Sequence, residues 1–189
     1  MESALEVIAE GGVEAVSVAD VGRRVGVSAA APYRHFASRQ ALLVAVAIET
    51  ARTLADQLVA VRDERPGAGP VDLLAGFAAC YTRFHLEHGA GLELIYRMEL
   101  REFEDAELAS EGRRVMDVVL PVARDVAGAA EGGIELLEQV FAVAHGYAQM
   151  FSIALSSRRL VEPDDAAEAA GAAVRLIAEA TASRAGAGG

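Results

Sequence analysis

Between Ser17 and Arg39 the chain carries, in close succession, groups that grip phosphates and groups that leave room for a base edge. Ser17, Ser28, Tyr33, His35 and Arg39 offer hydroxyl, imidazole and guanidinium groups suited to phosphate oxygens. Ala29 and Ala30 allow close approach in a groove, where an alanine methyl can meet a thymine methyl and Arg34 can reach base edges. Another titratable cluster is His85-Leu-Glu87-His88, whose imidazoles lie three apart on a helix. Its order differs from His-Glu-x-x-His and no third ligand is signalled, so the reading there is solvated helix-end histidines, with no metal and no cofactor. No nucleophile, base and orienting acid stand together and no phosphate-binding loop is present, which argues against an enzyme. Cys80 sits at helical spacing between Phe77 and Phe84 and reads as a small buried side chain.

The groups of the first cluster require helices around a tight turn. Ser17-Val-Ala-Asp20 is a capping box, with the Ser17 hydroxyl accepting from a backbone N–H one turn in and the Asp20 carboxylate reaching back to the Ser17 N–H. The helix so begun runs to Val25 and ends at Gly26, which turns left-handed at little cost. Ser28 caps a third helix whose N-terminal half projects outward, with Phe36 packing inward, and Ser38 caps a fourth from Arg39 to about Glu64. A first helix, Glu2 to Glu10, stops at Gly11-Gly12. Apolar residues recur at three and four throughout and no asparagine exists to make an Asn-Gly hairpin, so the chain is all-α. Arg65-Pro-Gly-Ala-Gly-Pro70 breaks the pattern, and helices are expected over Val71–His88, Gly91–Phe103, Ala106–Ala130, Ile134–Ser157 and Asp164–Arg184, with Pro121 expected to kink or split its helix.

The net charge of −11 over 189 residues, taken as a total, opposes a nucleic-acid partner, but it is unevenly spread. Residues 1–52 hold five arginines and six acids, whereas the remainder holds twelve arginines and twenty-two acids. Between Val21 and Ile48 there are four arginines (Arg23, Arg24, Arg34, Arg39) and no acid. The expected footprint is a local positive island. No run of apolar residues is long enough to cross a membrane and the N-terminus lacks the pattern of a secretory signal, so the expected location is the cytoplasm.

The ordered segment resembles the DNA-binding module of tetracycline-repressor-type (TetR family) regulators. The resemblance rests on Ala4-Leu5 and Gly11, Ser17-Val-Ala-Asp-Val-Gly22, Gly26-Val-Ser28, Tyr33-Arg-His-Phe36, Ser38-Arg39 and Ala41-Leu42-Leu43, and covers residues 4–48. It implies an N-terminal three-helix helix-turn-helix domain over residues 1–48 and a C-terminal helical ligand-binding and dimerisation domain over 49–189. Ala30-Ala31-Pro32 replaces the family's usual Gly-Thr-Leu, and because Pro32 disfavours helix at the residue before it, the turn there is expected to be distorted or 3₁₀. Arg39 stands where lysine is usual. The family's basic arm would precede Met1, so either the arm lies upstream of this sequence or fewer phosphate contacts weaken binding.

Farther on, Tyr81-Thr-Arg-Phe84-His-Leu-Glu-His88 and Phe141-Ala-Val-Ala-His145-Gly146 resemble a subgroup of the family with a Trp…His-Gly signature, Phe141 standing for the tryptophan. The resemblance implies a pocket for a small hydrophobic effector, and Phe84, Tyr96, Met116, Phe141, His145 and Met150 are its candidate lining. Core packing accounts for the same residue types. The last two long helices carry small residues (Ala142, Ala144, Gly146 and Ala148, then Ala166, Ala167, Ala169, Ala170, Gly171 and Ala173) that suit a close four-helix interface between two copies. A twofold dimer would read an inverted repeat in double-stranded DNA. These readings lead to a ligand-released repressor, with a dimeric small-molecule binding protein whose short N-terminus gives weak or no specific DNA binding as the alternative.

Overall fold

Helical spacing of the apolar residues, interrupted by caps and glycines, sets the elements of the computed structural model, which describes residues 2–28, 31–96, 105–153 and 162–187. Among the described residues there are seven α-helices and no strand: α1 (Glu2–Gly11), α2 (Val18–Arg24), α3 (Arg39–Asp63), α4 (Pro70–Tyr96), α5 (Ala106–Ala127), α6 (Ala130–Ser152) and α7 (Pro163–Ala187). Two 3₁₀ turns, Val13–Ala15 and Pro32–Arg34, complete the series.

The helices form two compact units. Unit 1 comprises Met1–Thr53 and His88–Gly112; unit 2 comprises Leu54–Glu87 and Arg113–Gly189. A later stretch beginning at His88 therefore clusters with the N-terminal helices. Leu94 is wholly buried in the same core as Ala4, Ile8, Val16, Leu42 and Val46, and Leu108 packs against it. His88 leaves helical geometry (φ −129°, ψ 20°) within α4, so the expected helix end at this residue is a kink and the chain continues as helix to Tyr96.

Unit 2 is built on α6 and α7, which pack along each other, and on the unit's part of α4. Leu74, Phe84, Leu136 and Val174 are sealed within it, and each such side chain contributes on the order of 1.5–3 kcal/mol by leaving water. Close packing needs small residues. A Cβ at Gly171 would stand 2.9 Å from the Ala75 carbonyl oxygen, so α7 crosses α4 at a distance set by that glycine. The Thr82 hydroxyl lies 2.9 Å from the Ala78 carbonyl and 3.1 Å from that of Ala144, fixing the register of α4 on α6.

Pro121 does not split its helix: α5 runs through it unbroken. Pro121 and Asp117, whose carbonyl the proline deprives of a partner, both lie on the exposed side.

Cys80 is buried beside Gln57, and burial pushes its thiol up to about 11. Little thiolate then exists at pH 8, so an aromatic disulfide reagent is expected to react with the native protein far more slowly than with the urea-unfolded chain. Equal rates would show that the thiol is accessible.

Candidate nucleic-acid interface and a histidine cluster

The capping residues and Gly26 shape the first half of the interface. Ser17 caps α2 by accepting from the Asp20 N–H at 3.0 Å. The Asp20 carboxylate does not reach back as a capping box prescribes; it accepts from the Ser17 hydroxyl and from Arg23. At the other end Gly26 adopts φ 74°, and the Val27 N–H donates to Gly22 O while the Gly26 N–H donates to Arg23 O. That pair of bonds is a Schellman motif, which satisfies two helix-end carbonyls. It turns the chain sharply toward Ser28.

The expected helix capped by Ser28 needs correction. The regular element between Ser28 and Ser38 among the described residues is the 3₁₀ turn Pro32–Arg34; Ala29 and Ala30 lie outside the described residues. Pro32 lacks an N–H and starts the turn at its first position, where a missing donor costs nothing. Its ring packs on Gly22, where a Cβ would meet Pro32 Cγ at 2.5 Å. The Arg34 N–H donates to Ala31 O (3.2 Å) and the His35 N–H to Pro32 O (3.0 Å). Phe36 is partly buried against the core of unit 1, as expected. Tyr33, Arg34 and His35 are thereby presented to solvent in succession, between an anchor on Gly22 and an anchor in the core.

The charges rearrange the picture of a positive island. Arg23 pairs with Asp20, Arg24 with Glu10 and with Glu6 (3.6 Å), and Arg39 with Glu14 (3.3 Å). The bond to Arg24 holds the Glu10 carboxyl below its usual range and raises Arg24 in return. Arg39 also donates to Val16 O at 2.9 Å and Val13 O at 2.7 Å, capping the first 3₁₀ turn from 23 and 26 residues away. It serves the fold as well as any ligand. Of the four arginines, Arg34 is the one with no ion pair among the described residues. The neutralising acids lie outside the window Val21–Ile48, so a count along the chain does not reveal them.

In unit 2 the candidate pocket residues separate. Phe84 is fully buried, whereas Met116, Phe141 and Met150 are 43 %, 37 % and 44 % exposed. Tyr96 ends α4, and its side chain lies outside the described residues. Phe141 and His145 do come together, stacked with ring centroids 5.8 Å apart. Two side chains that sequence reasoning had not placed there join them. Tyr81 has its hydroxyl 3.1 Å from His145 Nδ1 and its ring 5.0 Å from Phe141. His85 stands edge-on to His145 at 4.8 Å. The detectable signal was a pair of matched spacings, Tyr81/His85 on α4 and Phe141/His145 on α6, each i, i+4 and therefore on one face of its helix.

Burial, and secondarily the neighbouring His145, pushes the His85 imidazole below its ordinary value of 6.5. The unfolded chain then takes up a proton near pH 6.5 that the native state resists, so native stability falls as pH drops below that point. Melting curves at pH 7.5 and 5.5 are expected to show this loss, and His85→Leu should reduce it. An unchanged difference would place the acid sensitivity elsewhere.

The small residues expected at a subunit contact also divide. Ala144, Ala148, Ala166, Ala167, Ala170 and Gly171 are buried inside unit 2, because close crossings within the chain consume them. Gly146, Ala169 and Ala173 are half-buried and Ala142 is exposed; α7 also exposes Ala172, Leu176 and Ala180, which were not among the expected residues, with Leu176 at 68 %.

Helices with a turn displaying Tyr33, Arg34 and His35 define a helix-turn-helix protein. Residues 1–46 match the family described as bacterial regulatory proteins, tetR family, and residues 74–153 match the tetracyclin repressor-like C-terminal domain. The chain belongs to the tetR family of regulators. Among solved structures, a protein of unknown function from Rhodococcus sp. RHA1 is similar at 23 % identity and a TM-score of 0.73, covering 93 % of this chain and 91 % of that one. The TetR family transcriptional regulator PfmR from Thermus thermophilus is similar at 19 % identity and a TM-score of 0.69, covering 93 % and 96 %. A regulatory protein of the tetR family from Rhodococcus RHA1 is similar at 19 % identity and a TM-score of 0.64, covering 95 % and 93 %. At these identities the likeness is one of fold. A comparison with curated proteins gave no match. Membership makes the chain a DNA-binding transcriptional regulator. No helix of the described residues is long and apolar enough to cross a membrane.

Proposed function

We propose that the protein is a homodimeric repressor that residues 1–48 seat on an inverted-repeat operator and that a small hydrophobic effector, bound within residues 49–189, releases. The observation that carries this reading is the exposed Tyr33-Arg34-His35 turn, held at both ends by Gly22 and the unit 1 core. Tyr33, His35, Ser17, Ser28 and Arg39 contact phosphates; Arg34, Ala29 and Ala30 face the groove. The exposed Leu176 stripe of α7 and Ala142 of α6 supply the contact between copies, which sets two reading turns about 34–36 Å apart or a multiple of that. The C-terminal region is of the Trp…His-Gly type, with Phe141 at the tryptophan position.

Titrating the purified protein into DNA of its own promoter region, with sedimentation equilibrium alongside, tests the proposal. A sequence-selective, salt-sensitive complex of two chains per site is expected. Loss of selectivity against scrambled DNA would overturn it. The second reading is a dimeric small-molecule binding protein without specific DNA binding, favoured by the pairing of Arg23, Arg24 and Arg39 with acids.

A further inference from the structure

We infer that the Tyr81, His85, Phe141 and His145 cluster is a recognition site for a flat apolar molecule carrying a hydroxyl or N–H donor, with His85 Nδ1 as the acceptor. The inference rests on reading unit 2 as the effector-binding unit and names the chemistry of the effector. His85 is 6 % exposed, and its Nδ1 is sealed from solvent without a hydrogen-bond partner among the described residues. A buried polar atom left in this state is costly, and native folds keep few of them without a use. Burial and the adjacent His145 both disfavour the charged imidazole, so the ring is neutral.

A neutral imidazole carries one proton, and a sealed N–H without an acceptor is rarer in folded proteins than a sealed lone pair. The proton therefore sits on Nε2, and Nδ1 presents a lone pair. What satisfies that lone pair is a donor. The surroundings define the rest of the molecule: the rings of Tyr81 and Phe141, 5.0 Å apart and tilted by 58°, form an aromatic wall. Phe141, 37 % exposed, stands at the surface edge of the cluster and is the ring that gives way to an arriving one. The hydrogen bond between the Tyr81 hydroxyl and His145 Nδ1 holds the second imidazole in place while this happens. A carboxylate would bring no donor to Nδ1 and is excluded on the same ground.

The test uses 2-naphthol and 2-methoxynaphthalene, which share a ring system and differ in the donor, with direct binding to the full chain measured by calorimetry in the absence of DNA. The naphthol is expected to bind about tenfold more tightly than the ether, and His85→Leu to abolish that difference while leaving binding of the ether. In the unmodified protein carrying ¹⁵N-histidine, the naphthol should shift one imidazole Nδ1 resonance and the ether should not, which keeps the test valid if the variant does not fold. Equal affinities, discrimination that survives in His85→Leu, no binding of either probe, or an unmoved Nδ1 resonance would each overturn the inference. Because DNA is absent, these outcomes leave the operator titration to judge the repressor reading by itself.

Discussion

Arg34→Ala is expected to weaken the operator complex at least ~30-fold at fixed salt, from about 1–3 kcal/mol lost at each of two copies. Charge already spent inside the chain is what singles this residue out. Arg23, Arg24 and Arg39 face carboxylates of their own chain, so bringing phosphates near them exchanges one partner for another. Arg34 has no such partner among the described residues and is exposed on the 3₁₀ turn. Its approach to DNA releases counterions outright. The slope of log affinity against log salt should therefore flatten by about 2 in Arg34→Ala, roughly one unit per copy. Arg24→Ala should change it far less. Fluorescence anisotropy over a series of salt concentrations measures both, and equal slopes for the two variants would show that the ion pairs do not screen the reading surface.

Gly171→Ala is expected to destabilise unit 2 by about 1–3 kcal/mol, against the usual benefit of alanine in a helix. The opposing term is steric and has a rigid source: the new Cβ would lie 2.9 Å from the Ala75 carbonyl oxygen, and backbone cannot rotate away as a side chain can. Gly112, also helical, has nothing within 4 Å of the same position. Gly112→Ala should therefore stabilise by about 0.5–1 kcal/mol. Thermal unfolding of the two variants against the parent protein reads the signs directly. Stabilisation of both would mean that α7 does not cross α4 closely at Gly171.

Much of the scaffold was legible because local chemistry decides it. Ser17 and Ser38 cap their helices, with the Ala41 N–H bound to the Ser38 hydroxyl at 3.1 Å, and Gly26 ends α2. The serine caps, the turn glycine and the apolar spacing are short-range patterns, and tertiary packing had no reason to override them. The ion pairs were illegible for the opposite reason. Arg24 meets Glu10 from fourteen residues away and Arg39 meets Glu14 from twenty-five, distances along the chain at which only the folded helices bring charges together. The same holds for the small residues of α6 and α7. Spacing shows that a face is narrow, yet whether the narrow face meets a neighbouring helix or a second copy depends on which helix arrives first. Phe84, Met116 and Met150 illustrate this too, since bulky apolar residues suit a cavity, a solid core and a surface equally well.

Pro32, which opens the 3₁₀ turn Pro32–Arg34, also acts on the chain before it folds. A proline at this position removes backbone conformations from the unfolded ensemble, and where the native geometry accepts the ring the gain is about 0.4–1 kcal/mol. Gly22 supplies that acceptance by leaving space for the ring. The segment that carries Tyr33 and Arg34 therefore has less disorder to surrender, both when the protein folds and when it meets DNA.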